Sequence, residues 1–212
     1  MATSQSMRFA KVLVFSLCFA PTLVLIWDSL TGGLSVNPIE DITHRTGDWA
    51  LRFVLLTLAV TPFRWLSGWN EVIRYRRMLG LFTFWYASLH FSTYIVFDHF
   101  FDIRSIADDV VERKYVTAGF LGFVLMLPRA VTSTQGWIRR LGRRWLVLHR
   151  LIYAAAVAGV VHFLWLVKLE TSEPLVYGAL LSGLFVVRVI PVSYTHLRAH
   201  ETDSYLVCRL LL

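Results

Sequence analysis

The sequence predicts an all-α integral membrane protein, a six-transmembrane-helix bundle over residues 1–191 with its N- and C-termini on the cytoplasmic side. Three observations predict it. Apolar residues make up 56% and aromatic residues 15% of the 212-residue chain, a balance far outside that of soluble domains. Six stretches approach the roughly 20 mostly apolar residues that cross a bilayer. The segments between them alternate between basic and acidic, as a multi-pass protein requires when its cytoplasmic loops carry the excess Lys and Arg.

The first span covers residues 9–30 and contains Pro21, expected to kink it. Its apolar run is longer than a signal-peptide core and has no small-residue cleavage site behind it, so it reads as a retained helix. The others are placed at 49–67, 78–97, 115–131, 147–168 and 174–191. Arg8 and Lys11 precede span one, Arg64, Arg74, Arg76 and Arg77 separate spans two and three, and Arg129, Arg139, Arg140, Arg143 and Arg144 separate four and five. Those ends face the cytoplasm. Asp28, Glu40, Asp41 and Asp48, then Asp98, Asp102, Asp108, Asp109 and Glu112, then Glu170 and Glu173 mark the outward loops.

The net charge of +7 is therefore explained by insertion into the lipid bilayer, with no nucleic acid needed. Cys18 lies within span one and Cys208 in the tail, so no disulfide framework is on offer. After Pro191 the composition changes abruptly to "VSYTHLRAHETDSYLVCRLLL". Residues 192–212 resemble translated adaptor read-through, and they are expected to be dispensable and to stand in place of a lost native C-terminus.

Three histidines, His90, His149 and His162, fall inside apolar stretches. An imidazole within a membrane span is costly and marks a functional site by default. His90 lies eight residues before Asp98 and His162 six before Lys168; at about 1.5 Å per residue both sit roughly 10 Å below the outer boundary. Two neutral imidazoles at one depth on different helices can supply both axial ligands of a low-spin haem b. Gly80, Thr83 and Ala87 lead to His90 along one helical face, as Ala155, Ala158 and Gly159 lead to His162. These small-residue stripes give either clearance for a flat macrocycle or close helix packing.

His149 lies thirteen residues before His162, roughly 20 Å lower and turned away from it on an ideal helix. It reads either as an inner haem-associated ligand or as an interfacial residue among Arg143, Arg144 and Arg150. Arg52, near the outer depth, could pair with a haem propionate or snorkel to the surface. His44 and His99 are expected to be ordinary solvated residues of outward loops.

The segments "RRMLGLFTFWYASLHFSTY", "TSTQGWIRRLGRRWLVLHRLIYAAAVAGVVHFLWLVK" and "GGLSVNPIEDITHRTGDWALRF" resemble the MsrQ (YedZ) family. These are the haem-binding membrane subunits of bacterial periplasmic methionine-sulfoxide reductase systems. The likeness spans residues 8–190, and more remotely the chain is similar to ferric reductase and NADPH oxidase transmembrane domains, which carry haem between their third and fifth helices. By motif position His90, His149 and His162 match the family's haem-associated histidines.

The resemblance implies a subunit of the bacterial inner membrane that takes electrons from quinol, or from a cytoplasmic flavin reductase. It would pass them to a periplasmic molybdopterin-containing methionine-sulfoxide reductase that repairs oxidised proteins. Haem b and FMN are the implied cofactors, FMN by resemblance alone, since the chain shows no flavin fingerprint. The spans hold no reactive thiolate or paired-carboxylate site, so sulfoxide chemistry is assigned to the partner. The outward loops 31–48 and 98–114 are the expected docking surface. A different ferric reductase-like cytochrome b, or a haem-free transporter-like bundle using the histidines as proton relays, remains the alternative at this stage.

Overall fold

The computed structural model describes residues 4–167 and 172–188, and among these every regular element is helical. The expected read-through segment 192–212 lies outside the described residues. Helix α1 runs Ser4–Thr31 and is continuous through Pro21. Helix α2 runs Pro38–Ser67 and α3 Arg76–Thr93. A single π turn, Tyr94–Asp98, ends α3. Then follow α4 (Ile103–Glu112), α5 (Lys114–Val131), α6 (Gln135–Leu141), α7 (Arg143–His149) and α8 (Leu151–Leu166). A last helix, α9, covers 172–188.

Among the described residues, four helices are long and apolar enough to cross a membrane: Gln5–Thr31, Pro38–Ser67, Lys114–Val131, and Arg143–Leu166 taken as one stretch. The third and sixth expected spans correspond to α3 and α9, which are helical.

Two departures from the expected boundaries matter for the site. Helix α2 begins eleven residues before the expected span. Asn37 caps it by accepting from the Glu40 amide, Pro38 occupies its first turn, and Glu40 and Asp41 complement its N-terminal dipole. The segment "DITHRTGD" is thus helix rather than loop, and it carries Thr43, His44 and Gly47 alongside the C-terminal end of α3. In the other departure, α7 and α8 are separate because the chain tightens at Arg150, where the Arg150 amide bonds to Val147 O at 3.1 Å and the Tyr153 amide to Arg150 O at 3.0 Å. Three-residue bonding of this kind over-winds the turn, so His149 leaves the register it would have on an ideal continuous helix.

The bundle is organised around α2. On one side Cys18, Phe53, Phe82 and Tyr86 pack α1, α2 and α3 together; on the other Val54, Leu55, Leu58, Ile152, Ala156 and Leu181 pack α2, α8 and α9. Helix α1 leaves Phe9, Val12, Leu17 and Leu23 exposed, as a lipid-facing helix does. Polar contacts add to its apolar packing against α3. The Tyr86 hydroxyl donates to Cys18 O at 2.9 Å, and Trp85 Nε1 donates to Thr22 Oγ1 at 3.2 Å.

Parts of the small-residue stripes lie at helix contacts. A Cβ on Gly122 of α5 would lie 3.5 Å from both Ala155 O and Ala158 Cβ, so Ala155 and Ala158 let α5 and α8 approach closely. Thr83, fully buried, sits 3.5 Å from Thr57 on α2.

Candidate functional site

His90 leaves α3 one turn before its end and His162 leaves α8 at the same level, and their ring centroids lie 6.0 Å apart with planes at 74°. Each ring is fixed by one backbone carbonyl. His90 Nδ1 lies 2.9 Å from Thr43 O on α2, and His162 Nδ1 lies 2.7 Å from Tyr115 O at the start of α5. A carbonyl oxygen only accepts, so each Nδ1 carries the hydrogen and each neutral ring keeps its lone pair on Nε2. A second-shell bond of this type orients a metal-binding histidine and selects its tautomer.

Two glycines make room for these rings. A Cβ on Gly47 would lie 3.2 Å from His90 Nδ1 and Cε1, and one on Gly119 would lie 2.7 Å from His162 Nδ1 and 3.0 Å from its Cε1. Alanine is the better helix former at such positions by about 1 kcal/mol, so glycine there is explained by the ring against it. Nothing in the sequence pattern singled these glycines out, because their partners are 43 residues away in each case.

The residues present fit a haem. Two imidazoles bound end-on to one metal ion, each nitrogen about 2 Å from it, hold their ring centres about 6 Å apart, close to the spacing of this pair. The group would be held by His90 and His162 through Nε2.

The structure does not bring His149 to this pair. It lies at the far end of α7, its ring stacked on Trp145 at 3.9 Å between centroids, with Nε2 3.4 Å from Thr132 Oγ1. There it lines a cavity of about 420 Å³ with Arg76, Gly80, Phe84, Arg129 and Tyr153, and no carboxylate lines it among the described residues. Arg129 Nε is buried there without a hydrogen-bond partner among the described residues.

Arg52 is engaged within the protein. It reaches Asp48 at 3.4 Å, contacts the Tyr177 hydroxyl at 3.3 Å through Nε, and lies 4.9 Å over the Trp49 ring. His44 is exposed on α2.

His99 is not the solvated residue expected of a loop. Its side chain is only 11% exposed, with Nδ1 2.7 Å from Ser105 Oγ and Nε2 3.4 Å from Asp109 Oδ2. Asp109, itself buried, also accepts from the Tyr94 hydroxyl at 2.9 Å and pairs with Arg113 at 2.8 Å. The π turn after α3 brings His99 back over the helix end, and no residue pattern marks this. Among the described residues, no group of three or more His, Cys, Asp or Glu is placed to hold a metal ion by itself.

The family described as ferric reductase like transmembrane component matches residues 46–160, a stretch that contains Gly47, His90, Gly119 and His149. The chain is 48% identical over 182 residues to the protein-methionine-sulfoxide reductase heme-binding subunit MsrQ of Herminiimonas arsenicoxydans, covering 84% of each chain. It is 46% identical to the subunit of the same description from Rhodospirillum rubrum, over 87% of this chain and 89% of that one. For that of Xanthomonas euvesicatoria the identity is 45% over 88% of each. No solved structure matches the chain. A family match over more than half of the sequence, together with relatives this similar over most of their length, establishes that the chain belongs to the MsrQ family of ferric reductase-like transmembrane proteins.

Proposed function

We propose that this chain is a haem b electron-transfer subunit of the bacterial inner membrane, carrying electrons outward from quinol to a periplasmic molybdopterin-containing methionine-sulfoxide reductase. The single observation that supports it most is the His90–His162 pair, 6.0 Å between ring centroids, each ring anchored through Nδ1 to a carbonyl of a different helix. Haem, when bound, supplies reversible one-electron chemistry at iron. The chain's own residues do the rest. Thr43 O and Tyr115 O keep both Nε2 atoms available, Gly47 and Gly119 leave the rings their space, and the surrounding apolar helices keep water from the site.

Six spans with both termini cytoplasmic are the topology of this proposal, with α3 and α9 completing the set. It is supported by the basic segments 64–77 and 129–144 and by the acidic segments 28–48 and 98–112. His90 and His162 then lie toward the outer face and the His149 cavity toward the inner one. The cavity is the site proposed for electron uptake, from quinol or from a cytoplasmic flavin reductase; its arginines, with no carboxylate among the described lining residues, suit an electron-rich or anionic donor. The sulfoxide-reducing catalyst is the partner, and the relatives' printed name, heme-binding subunit of a methionine-sulfoxide reductase, supports that division.

Reconstitution tests the proposal. Membranes containing this protein and a matching molybdopterin subunit should oxidise quinol when methionine sulfoxide is supplied, and should stop when His90 is replaced by Ala. Equal quinol oxidation in membranes lacking the protein would refute it.

A further inference from the structure

We infer that α4 and the turn before it are seated in the outer leaflet of the lipid bilayer, with Phe100, Phe101, Ile103 and Val111 buried among acyl chains. Helix α4 ends at Glu112, two residues before Lys114 opens α5, a helix fit to cross the membrane. It is therefore held at the boundary whatever its own composition. It is too short and too charged to span, carrying Arg104, Asp108, Asp109 and Glu112, so spanning does not explain its exposed apolar residues.

At about 100° per residue, α4 divides into three faces. Ser105, Ile106, Asp109 and Val110 turn toward the protein. Arg104, Asp108 and Glu112 form an exposed charged face. Between them Ile103, Ala107 and Val111, each four residues apart, form an exposed apolar stripe, with Ile103 79% and Val111 83% exposed. Protein, water and hydrocarbon are the three media that meet at the rim of a membrane bundle, and a helix lying there presents one face to each. A docking face for a soluble partner would call for no such separate apolar stripe set between the packed and the charged sides.

The turn extends the stripe. Phe100 and Phe101 are 79% and 67% exposed, and both have left-handed backbone, φ 47° and 64°, a conformation that bulky residues rarely adopt. It is imposed from several sides. The Phe101 amide bonds to Ile95 O at 3.0 Å, the Asp102 amide to His99 O at 2.8 Å, and Asp102 caps α4 through the Arg104 amide. A turn built this firmly to hold two phenylalanines outward, at the end of a helix that reaches the boundary, matches the aromatic belt of membrane interfaces. The seating has a structural consequence, because Asp109 joins α4 to Tyr94, one turn beyond His90. Anchoring α4 in lipid thus steadies the outer rim of the histidine pair.

The inference rests on the membrane placement of α5 and, for the choice of leaflet, on the proposed topology, not on the redox reading. Nitroxide labels placed singly at residues 103, 104, 107, 108, 111 and 112, in the full chain carrying Cys18→Ala and Cys208→Ser, test it in phosphatidylethanolamine–phosphatidylglycerol bilayers. Collision rates with oxygen and with a water-soluble nickel chelate are compared. Labels at 103, 107 and 111 should favour oxygen, and those at 104, 108 and 112 should favour nickel. Nickel-dominated collisions at all six positions would overturn the inference. Labels at 103 and 111 that are nickel-accessible in bilayers and become shielded only when a methionine-sulfoxide reductase subunit is added would also overturn it, assigning the stripe to a protein partner.

Discussion

A Cβ on Gly119 would lie 2.7 Å from His162 Nδ1, closer than real Cβ contacts come, whereas one on Gly47 would meet His90 at 3.2 Å. Helix α5 thus presses its backbone against one ring more tightly than α2 presses against the other. Neither glycine needs left-handed backbone; both are small because an imidazole lies against them.

The first prediction follows from that difference. Gly119→Ala should lower haem content several-fold, while Gly47→Ala should shift the spectrum with a smaller loss. Because Ala favours a helix interior by about 1 kcal/mol over Gly, helix destabilisation cannot account for a loss. Haem per protein, measured by pyridine haemochrome, checks it; equal and full haem in both variants would remove the clearance argument.

His90→Ala and His162→Ala are each expected to abolish the low-spin spectrum of the outer haem. The two rings share one site, 6.0 Å apart, so the single variants should be as deficient as the double. Reduced-minus-oxidised spectra of the purified proteins decide the matter, and a normal spectrum with full haem in either single variant would break the assignment.

His149 predicts a different phenotype. Its ring lies against Trp145 and Thr132 at the arginine-lined cavity, away from the histidine pair. His149→Ala should slow reduction by quinol at least tenfold while leaving the outer low-spin signal in place. Stopped-flow reduction monitored at the Soret band measures this. A wild-type rate would make His149 an interfacial packing residue.

Asp109 gives a prediction about stability. It accepts from Tyr94, contacts His99 and pairs with Arg113 while buried. Asp109→Ala leaves the Tyr94 hydroxyl and His99 without that acceptor, at a cost of about 1–3 kcal/mol. Arg113, more than half exposed, adds little because water screens it. The melting temperature in detergent should fall by several degrees, and Tyr94→Phe, which removes one donor only, should lower it less.

By itself the sequence determined where the apolar segments lie, the alternation of loop charge, and the shared depth of His90 and His162, since these depend on residue type and on helical rise along one segment. It also determined family membership through the segments around those histidines. What it did not contain is which backbone lies against which ring. Thr43 and Gly47 reach His90 because α2 starts at Pro38, and Tyr115 and Gly119 reach His162 because α5 and α8 pack closely through Gly122, Ala155 and Ala158. The burial of His99 was equally hidden, because a π turn and not a residue pattern folds it back onto Asp109. Depth is a local property of one helix, legible residue by residue. Clearance and tautomer depend on contacts between helices far apart in the chain, and only the tertiary structure decided those.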